Sequence, residues 1–138
     1  MSYSVETTSR FDKLAVLGGE AITDTLEELE AGNIIPVKQG ETDTAYARML
    51  TKADGNIDFS KSAVEIERLI RGLNPWPSAY TMLNGKILKI WRAYVSDTGD
   101  INNPLCFKTG NGYLYASEVQ LEGKKRMDSD TFLLGYKQ

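Results

Sequence analysis

The chain has 138 residues, of which 41% are hydrophobic and 25% are charged, and its formal net charge is −3. This composition is typical of a globular protein, and no apolar run is long enough to cross a membrane. The absence of histidine excludes Ser-His-Asp and Cys-His catalytic sites, and the single cysteine, Cys106, excludes an internal disulfide and is interpreted as a small buried hydrophobic residue.

The first segment, residues 1–32, predicts an amphipathic helix. Its polar start, MSYSVETTSR, predicts no signal peptide and a cytoplasmic location. Apolar residues recur at three- and four-residue steps over 11–29, Thr7 or Thr8 can cap the start, and Gly32 can end the helix in the left-handed conformation. The apolar stripe has little nearby to bury it, which is typical of the last helix of a larger domain.

Residues 33–60 show no strong periodicity, and their Pro, Gly, Thr and Asp residues predict a linker that crosses a surface. The pattern changes at SAVEIERLIRGL, residues 62–73. Ser62 and Glu65 form a capping box there, and an apolar stripe follows at helical spacing until Gly72 stops it. This segment therefore predicts a second helix with a buried face.

Strands and turns dominate the rest of the chain. AYTML-NG-KILKIWRAYV predicts a hairpin, because Asn-Gly accepts the positive φ that a type I′ turn requires. LCFKT-GNG-YLYASEVQL predicts a second hairpin, EGKKR a basic turn, and MDSDTFLLGY a short helix capped by Asp128 or Ser129. In the second strand Leu88 and Ile90 are expected to point inward. A helix followed by hairpins predicts an α+β, mainly β fold, such as a small barrel with helices.

The segment NPWPS joins the second helix to the first hairpin. Its two prolines restrict the backbone, so the helix and the hairpin should meet at a set angle. Trp76, between them, is interpreted as a core residue that packs against the helix, and the alternative is a side chain that stacks on bases.

Two long motifs, IRGLNPWPSAYTMLNGKILKIWRA and EVQLEGKKRM, resemble the C-terminal region of the methionyl-tRNA formyltransferase family. LGGEAITDTLEELEAGNIIPVKQGE resembles the last helix of the formyltransferase domain of that family and the linker after it. The resemblance implies a division into 1–32, the helix left over from a Rossmann-like domain, 33–60, the linker, and 61–138, an OB-like small β-barrel. The segment between KIWRAYV and EVQLEG is about one strand and its turn shorter than in the family. The sequence therefore does not decide whether the barrel closes.

The family implies a function for a longer parent protein. Such an enzyme transfers a formyl group from 10-formyltetrahydrofolate to the methionine of initiator tRNA. The family's catalytic Asn, His and Asp match no position here, so the chain alone is expected to bind no cofactor and to be inactive. Its expected partner is initiator tRNA charged with methionine.

Charge supports an RNA partner for the second part of the chain. Residues 1–58 contain 11 acidic and 5 basic side chains, whereas residues 59–138 contain 8 acidic and 11 basic ones. A basic segment with an aromatic residue beside lysine is compatible with RNA, although ordinary surface variation also produces such a split. The candidate RNA-binding residues are Arg68, Arg71, Lys86, Lys89, Trp91, Arg92, Lys124, Lys125 and Arg126.

Two hypotheses therefore stand side by side. In the first, the chain is the tRNA-binding part of a formyltransferase, with Lys89 and Trp91 on the outer face of the sheet. In the second, it is a protein-interaction or structural remnant without RNA binding, with Trp91 packed under a loop and Lys89 merely solvated. Self-association through the first helix is compatible with either.

Overall fold

The computed structural model describes residues 7–136, with side chains from residue 10. The chain divides into two compact units, one spanning Thr8–Met49 and the other containing Leu50–Gln138. The assignment of segments 1–32, 33–60 and 61–138 stays a prediction. None of the helices in the described part of the chain combines the length and hydropathy needed to span a bilayer.

The unit 8–49 contains one long helix, α1, Thr7–Glu30. It ends as expected, because Gly32 adopts a φ of 73° and the Asn33 amide donates to the Glu28 carbonyl at 2.9 Å. The predicted caps, Thr7 and Thr8, lie outside the described side chains. Apolar side chains of α1 are 57–73% exposed: Phe11, Leu14, Leu17, Ile22, Leu26 and Leu29.

The second unit is an antiparallel sheet with helices. After a 3-10 turn, Lys52–Gly55, its elements are α2 (Ala63–Gly72), β1 (Ala79–Leu83), β2 (Lys86–Ser96), β3 (Cys106–Lys108), β4 (Tyr113–Leu121), β5 (Met127–Asp128) and α3 (Ser129–Gly135). Within the described residues the strand order is β1-β2-β4-β3, and β5 also pairs with β4. No described strand joins β1 to β3, so the sheet is a curled half-barrel. The predicted α+β fold is confirmed.

Local signals explain how the elements begin and turn. The capping box of α2 is present: the Glu65 amide donates to Ser62 Oγ, and the Ser62 amide donates to the Glu65 carboxylate at 3.0 Å. Asn84 and Gly85 have φ values of 48° and 75°, as the hairpin between β1 and β2 requires. Asp128 caps α3 by accepting from the Thr131 amide at 2.8 Å.

One face of the sheet and the apolar stripe of α2 form the core. Its fully buried large side chains are Ile66, Leu88, Ile90, Leu105, Leu114 and Val119. The inward orientation predicted for Leu88 and Ile90 agrees with this burial. The core also includes Ile57, from the range predicted as linker, because the Ile57 amide donates to the Tyr80 carbonyl at 3.0 Å and fixes this segment beside β1.

Two sequence interpretations are wrong. Trp76 is 58% exposed, because it lies with Pro75 at the tip of the corner while Leu73 and Pro77 on either side are buried. The residues at the base of the corner are therefore buried in the core, whereas the Trp76 side chain is exposed to solvent. Cys106 is only half-buried, since β3, on which it lies, is at the margin of the sheet.

Candidate nucleic-acid interface

The candidate site is built on an irregularity between β2 and β4. Ile90 pairs with Val119, Arg92 with Glu118 and Ala93 with Ala116, so the pairing passes over Trp91 on β2 and then over Ser117 on β4. A bulge of this kind places two consecutive side chains on the same side of a strand. Strict alternation would have turned Arg92 toward the core, with Ile90.

The bulge instead brings Trp91 and Arg92 to the outer face of the sheet together. Ile90 and Ala93, on either side of them, both pack in the core. The Arg92 side chain is 64% exposed. The strand thus presents an aromatic ring and a guanidinium group side by side.

Two cations lie over the Trp91 ring. Lys89 Nζ is 5.8 Å and Arg126 Cζ is 4.6 Å from the ring centroid. Each contact of this type contributes about 0.5–1 kcal/mol at an exposed site. Because Arg126 follows β4 in the basic turn, the sheet brings together residues that are far apart in sequence.

Glu118, on β4, holds the arginines in place. Both Arg126 Nε and Nη2 donate to its carboxylate, the latter at 2.8 Å, and Arg92 Nε lies 3.4 Å from Oε2. The hydrogen bond from Arg126 and the charges of Arg126 and Arg92 lower the pKa of the Glu118 carboxyl, against the opposing effect of partial burial. Lys89, Trp91, Arg92, Glu118 and Arg126 are called the Trp91 cluster below, and its charged groups carry a net charge of +2.

The structure brings a further candidate, Arg71, next to this cluster. Its Nε lies 3.3 Å from Glu67 Oε1 one turn earlier on α2. Together with Trp91 and Arg92 it lines a cavity of about 240 Å³. The other candidates are exposed, and no contact described for them joins them to Trp91: Arg68, Lys86, Lys124 and Lys125.

Sequence reasoning missed two tyrosines on the same outer face. Tyr94 and Tyr115 are register partners whose rings stack at 5.2 Å, and Tyr94 is 55% exposed. A hydrogen bond with Cys106, burial and nearby negative charge raise the pKa of Tyr115 to about 12, so the ring stays neutral. Strict alternation along β2 from Ile90 predicts that Tyr94 points inward. The tyrosine pair could therefore be identified only once the irregular pairing of β2 and β4 was known.

The described side chains do not resemble a metal centre. Among residues 10–136, no three His, Cys, Asp or Glu side chains converge as metal ligands. Cations and aromatic rings dominate the outer face instead, and these groups bind phosphates and bases.

Acid should weaken the fold through Glu118. Its pKa is lowered in the folded chain, so its stabilisation is present above the unfolded value of about 4.5 and is lost as the pH falls through the folded value. Glu118→Gln should therefore cost about 0.5–1 kcal/mol at pH 7 and make stability vary less between pH 5 and pH 3. Urea unfolding at each pH measures this. Glu41→Gln, in an exposed segment, is the control, and equal acid sensitivity of parent and Glu118→Gln would contradict the expectation.

Comparison with known proteins places the chain in a family. Residues 49–137 match the family model described as formyl transferase, C-terminal domain. The chain is 51% identical over 142 residues to a methionyl-tRNA formyltransferase of Lachnospira eligens, covering 92% of this chain and 45% of that protein. It is 47% identical over 137 residues to the enzyme of the same name from Agathobacter rectalis, covering 92% and 44%. The chain thus spans less than half the length of these relatives.

Solved structures agree on the fold. HypX from Aquifex aeolicus superposes with a TM-score of 0.59 at 18% identity, over 86% of this chain and 24% of that one. Its complex with tetrahydrofolic acid gives 0.57 at 17% identity, over 83% and 22%. These similarities concern the fold alone. The match to the family model and the identity to the curated relatives confirm the resemblance seen in the sequence, and the chain belongs to the formyl transferase C-terminal domain family, as represented in methionyl-tRNA formyltransferases.

Proposed function

We propose that this chain is the tRNA-binding part of a methionyl-tRNA formyltransferase that acts in translation initiation in the bacterial cytoplasm. The parent protein would transfer a formyl group from 10-formyltetrahydrofolate to methionine on initiator tRNA. The observation that carries the proposal is the Trp91 cluster, an aromatic ring with Lys89 and Arg126 over it, in a chain whose relatives are methionyl-tRNA formyltransferases.

The chemistry of the cluster suits RNA. Lysine and arginine side chains neutralise backbone phosphates, which positions RNA without reading its sequence. Neutral aromatic rings stack on unpaired bases. Trp91 and the Tyr94–Tyr115 pair supply such rings on one face of the sheet, and the exposed Trp76 offers another.

The formyl donor belongs elsewhere in the parent protein. The cavities beside Trp91, Lys89 and Phe132 hold about 240, 220 and 290 Å³. Sites that enclose a ligand of drug-like size hold roughly 300–1,000 Å³. All three volumes lie below this range, and the role proposed for this chain is confined to RNA.

The direct test is tRNA binding by the full chain. At 50 mM salt we expect fluorescein-labelled initiator tRNA to show saturable anisotropy, and Lys89→Glu to weaken binding about tenfold or more, because it replaces an attractive charge by a repulsive one. Lys108→Glu, on β3, makes the same change in net charge outside the cluster and should have a much smaller effect. Absence of binding by the parent chain, or equal losses in the two variants, would contradict the proposal.

A second candidate function, protein interaction, rests on α1. Six of its exposed apolar side chains, from Phe11 to Leu29, form a stripe, and exposed stripes of this size mark association sites. We expect the chain to form oligomers whose fraction rises with concentration, and Leu14→Glu with Leu26→Glu to shift it toward monomer. Sedimentation velocity at several concentrations measures both. A parent chain that sediments as a monomer throughout would contradict the role of α1.

A further inference from the structure

The cavity beside Trp91 lies where two strands part. β1 pairs with β2 from Lys86 only as far as Ile90. Beyond that point the edge of β2 faces the end of α2 and the corner after it. The Asn74 side chain crosses this gap and donates to the Trp91 carbonyl at 3.4 Å. The gap is the cavity of about 240 Å³.

Hydrogen-bond donors and positive charge dominate the wall of this cavity. Its lining residues include two arginines, Arg71 and Arg92, and the polar residues Asn74 and Ser117, against one acidic residue, Glu67. Guanidinium groups offer planar sets of N–H donors that match phosphate oxygens. Because Glu67 lies 3.3 Å from Arg71 Nε, the guanidinium of Arg71 is held at the wall.

A separate observation concerns Trp91, which also lines the cavity. Its indole nitrogen is buried and has no hydrogen-bond partner among the described residues. An indole N–H is a donor only, and a buried donor without an acceptor is rare in native proteins. Any group that pairs with this nitrogen must be an acceptor, as a phosphate oxygen is.

The geometry points to a phosphate-binding site in this cavity, formed by Arg71 of α2 and Arg92 of β2 with Asn74, Trp91 and Ser117. Its ligand is a phosphate group, carried either by an RNA backbone or by a small phosphate compound. A single phosphate fits the space, whereas a whole dinucleotide does not. In its RNA form the inference rests on the proposed function and adds a specific contact that joins α2 to the Trp91 cluster.

The two tryptophans provide a direct measurement. A chain labelled with ¹⁵N gives one indole N–H signal from Trp91 in the cavity and one from the exposed Trp76, and Trp76→Phe assigns them. At constant ionic strength set with chloride, inorganic phosphate or initiator tRNA should shift the Trp91 signal saturably. Arg71→Ala should remove the phosphate-induced shift and weaken tRNA binding roughly tenfold. Lys61→Ala, at the opposite end of α2, should change neither by more than about twofold.

Each outcome separates the alternatives. A saturable shift with phosphate but no tRNA binding would identify a small-phosphate site and overturn the proposed RNA function alone. A shift with tRNA only would identify the RNA backbone as the ligand. If tRNA binds without a shift of the Trp91 signal, and Arg71→Ala binds it with unchanged affinity, the proposed phosphate site in the cavity is contradicted. The proposed RNA function would then still stand. If Arg71→Ala does not fold, Arg71→Lys keeps the charge but loses the planar fork, and full phosphate binding by it would equally overturn the inference.

Discussion

Raising the salt concentration from 50 to 200 mM should weaken tRNA binding by this chain roughly 20- to 40-fold. Each phosphate that a protein neutralises contributes a log–log slope of roughly −0.7 to −0.9, and Lys89, Arg92 and Arg126 together correspond to roughly three phosphates. Binding releases cations from the RNA, and a higher salt concentration opposes that release. The affinity for tRNA therefore falls as salt rises. Fluorescence anisotropy across this range gives the slope. A slope near zero would show that aromatic or neutral contacts, and not phosphates, hold the RNA.

Substitutions within the cluster should change the affinity for tRNA in opposite directions. Arg126→Ala removes one cation and leaves the Glu118 carboxylate less neutralised, so we expect a slope smaller in magnitude by roughly 0.7–0.9 and weaker binding. Glu118→Gln keeps the cations and removes the opposing charge, so it should tighten binding. Lys124→Ala with Lys125→Ala is the matched comparison from the same basic turn. If that pair lowers affinity as much as Arg126→Ala does, the turn as a whole, and not the Trp91 cluster, contacts RNA.

Gly110→Ala should destabilise the unit 50–138 by about 3 kcal/mol, at the upper end of the range for overpacking. A β-carbon at this position would lie 2.0 Å from the backbone carbonyl oxygen of Ser60, which cannot rotate away as a side chain can. The surrounding backbone is tied on both sides. The Gly110 amide donates to the Lys61 carbonyl at 2.9 Å, and the Ala63 amide donates to the Asn111 carbonyl at 3.0 Å.

These hydrogen bonds attach the β3–β4 turn to the start of α2, so the substitution should also disturb the cavity at the other end of that helix. Gly72→Ala is the control, because no atom beyond its chain neighbours and the backbone of its own helix lies within 4 Å of the added β-carbon. Since Gly72 is the last residue of α2, we expect stabilisation of about 0.4–1 kcal/mol there, from the smaller entropy of the unfolded chain. Urea unfolding followed by circular dichroism compares the two. Similar midpoints for Gly110→Ala and the parent would show that the turn moves freely.

Features that depend on neighbours in sequence were predictable. The capping box of Ser62 and Glu65 and the turn at Asn84 need only a few consecutive residues, because their hydrogen bonds and φ values are local. The inward orientation of Leu88 and Ile90 needs only the alternation of a strand. The family, too, could be recognised from two continuous motifs.

The candidate site itself was decided by tertiary structure. Trp91 and Arg92 share a face only because the pairing of β2 and β4 is irregular there, and the same irregularity turns Tyr94, with its register partner Tyr115, to the outer face. Arg126 reaches Trp91 only because the turn after β4 folds back over the sheet. Which side of the corner is buried likewise depends on what packs beneath it, so Trp76 was misassigned. Amino-acid sequence by itself determined the local conformations and the family, whereas strand register, set by long-range pairing and the filling of the core, decided which charges and rings meet.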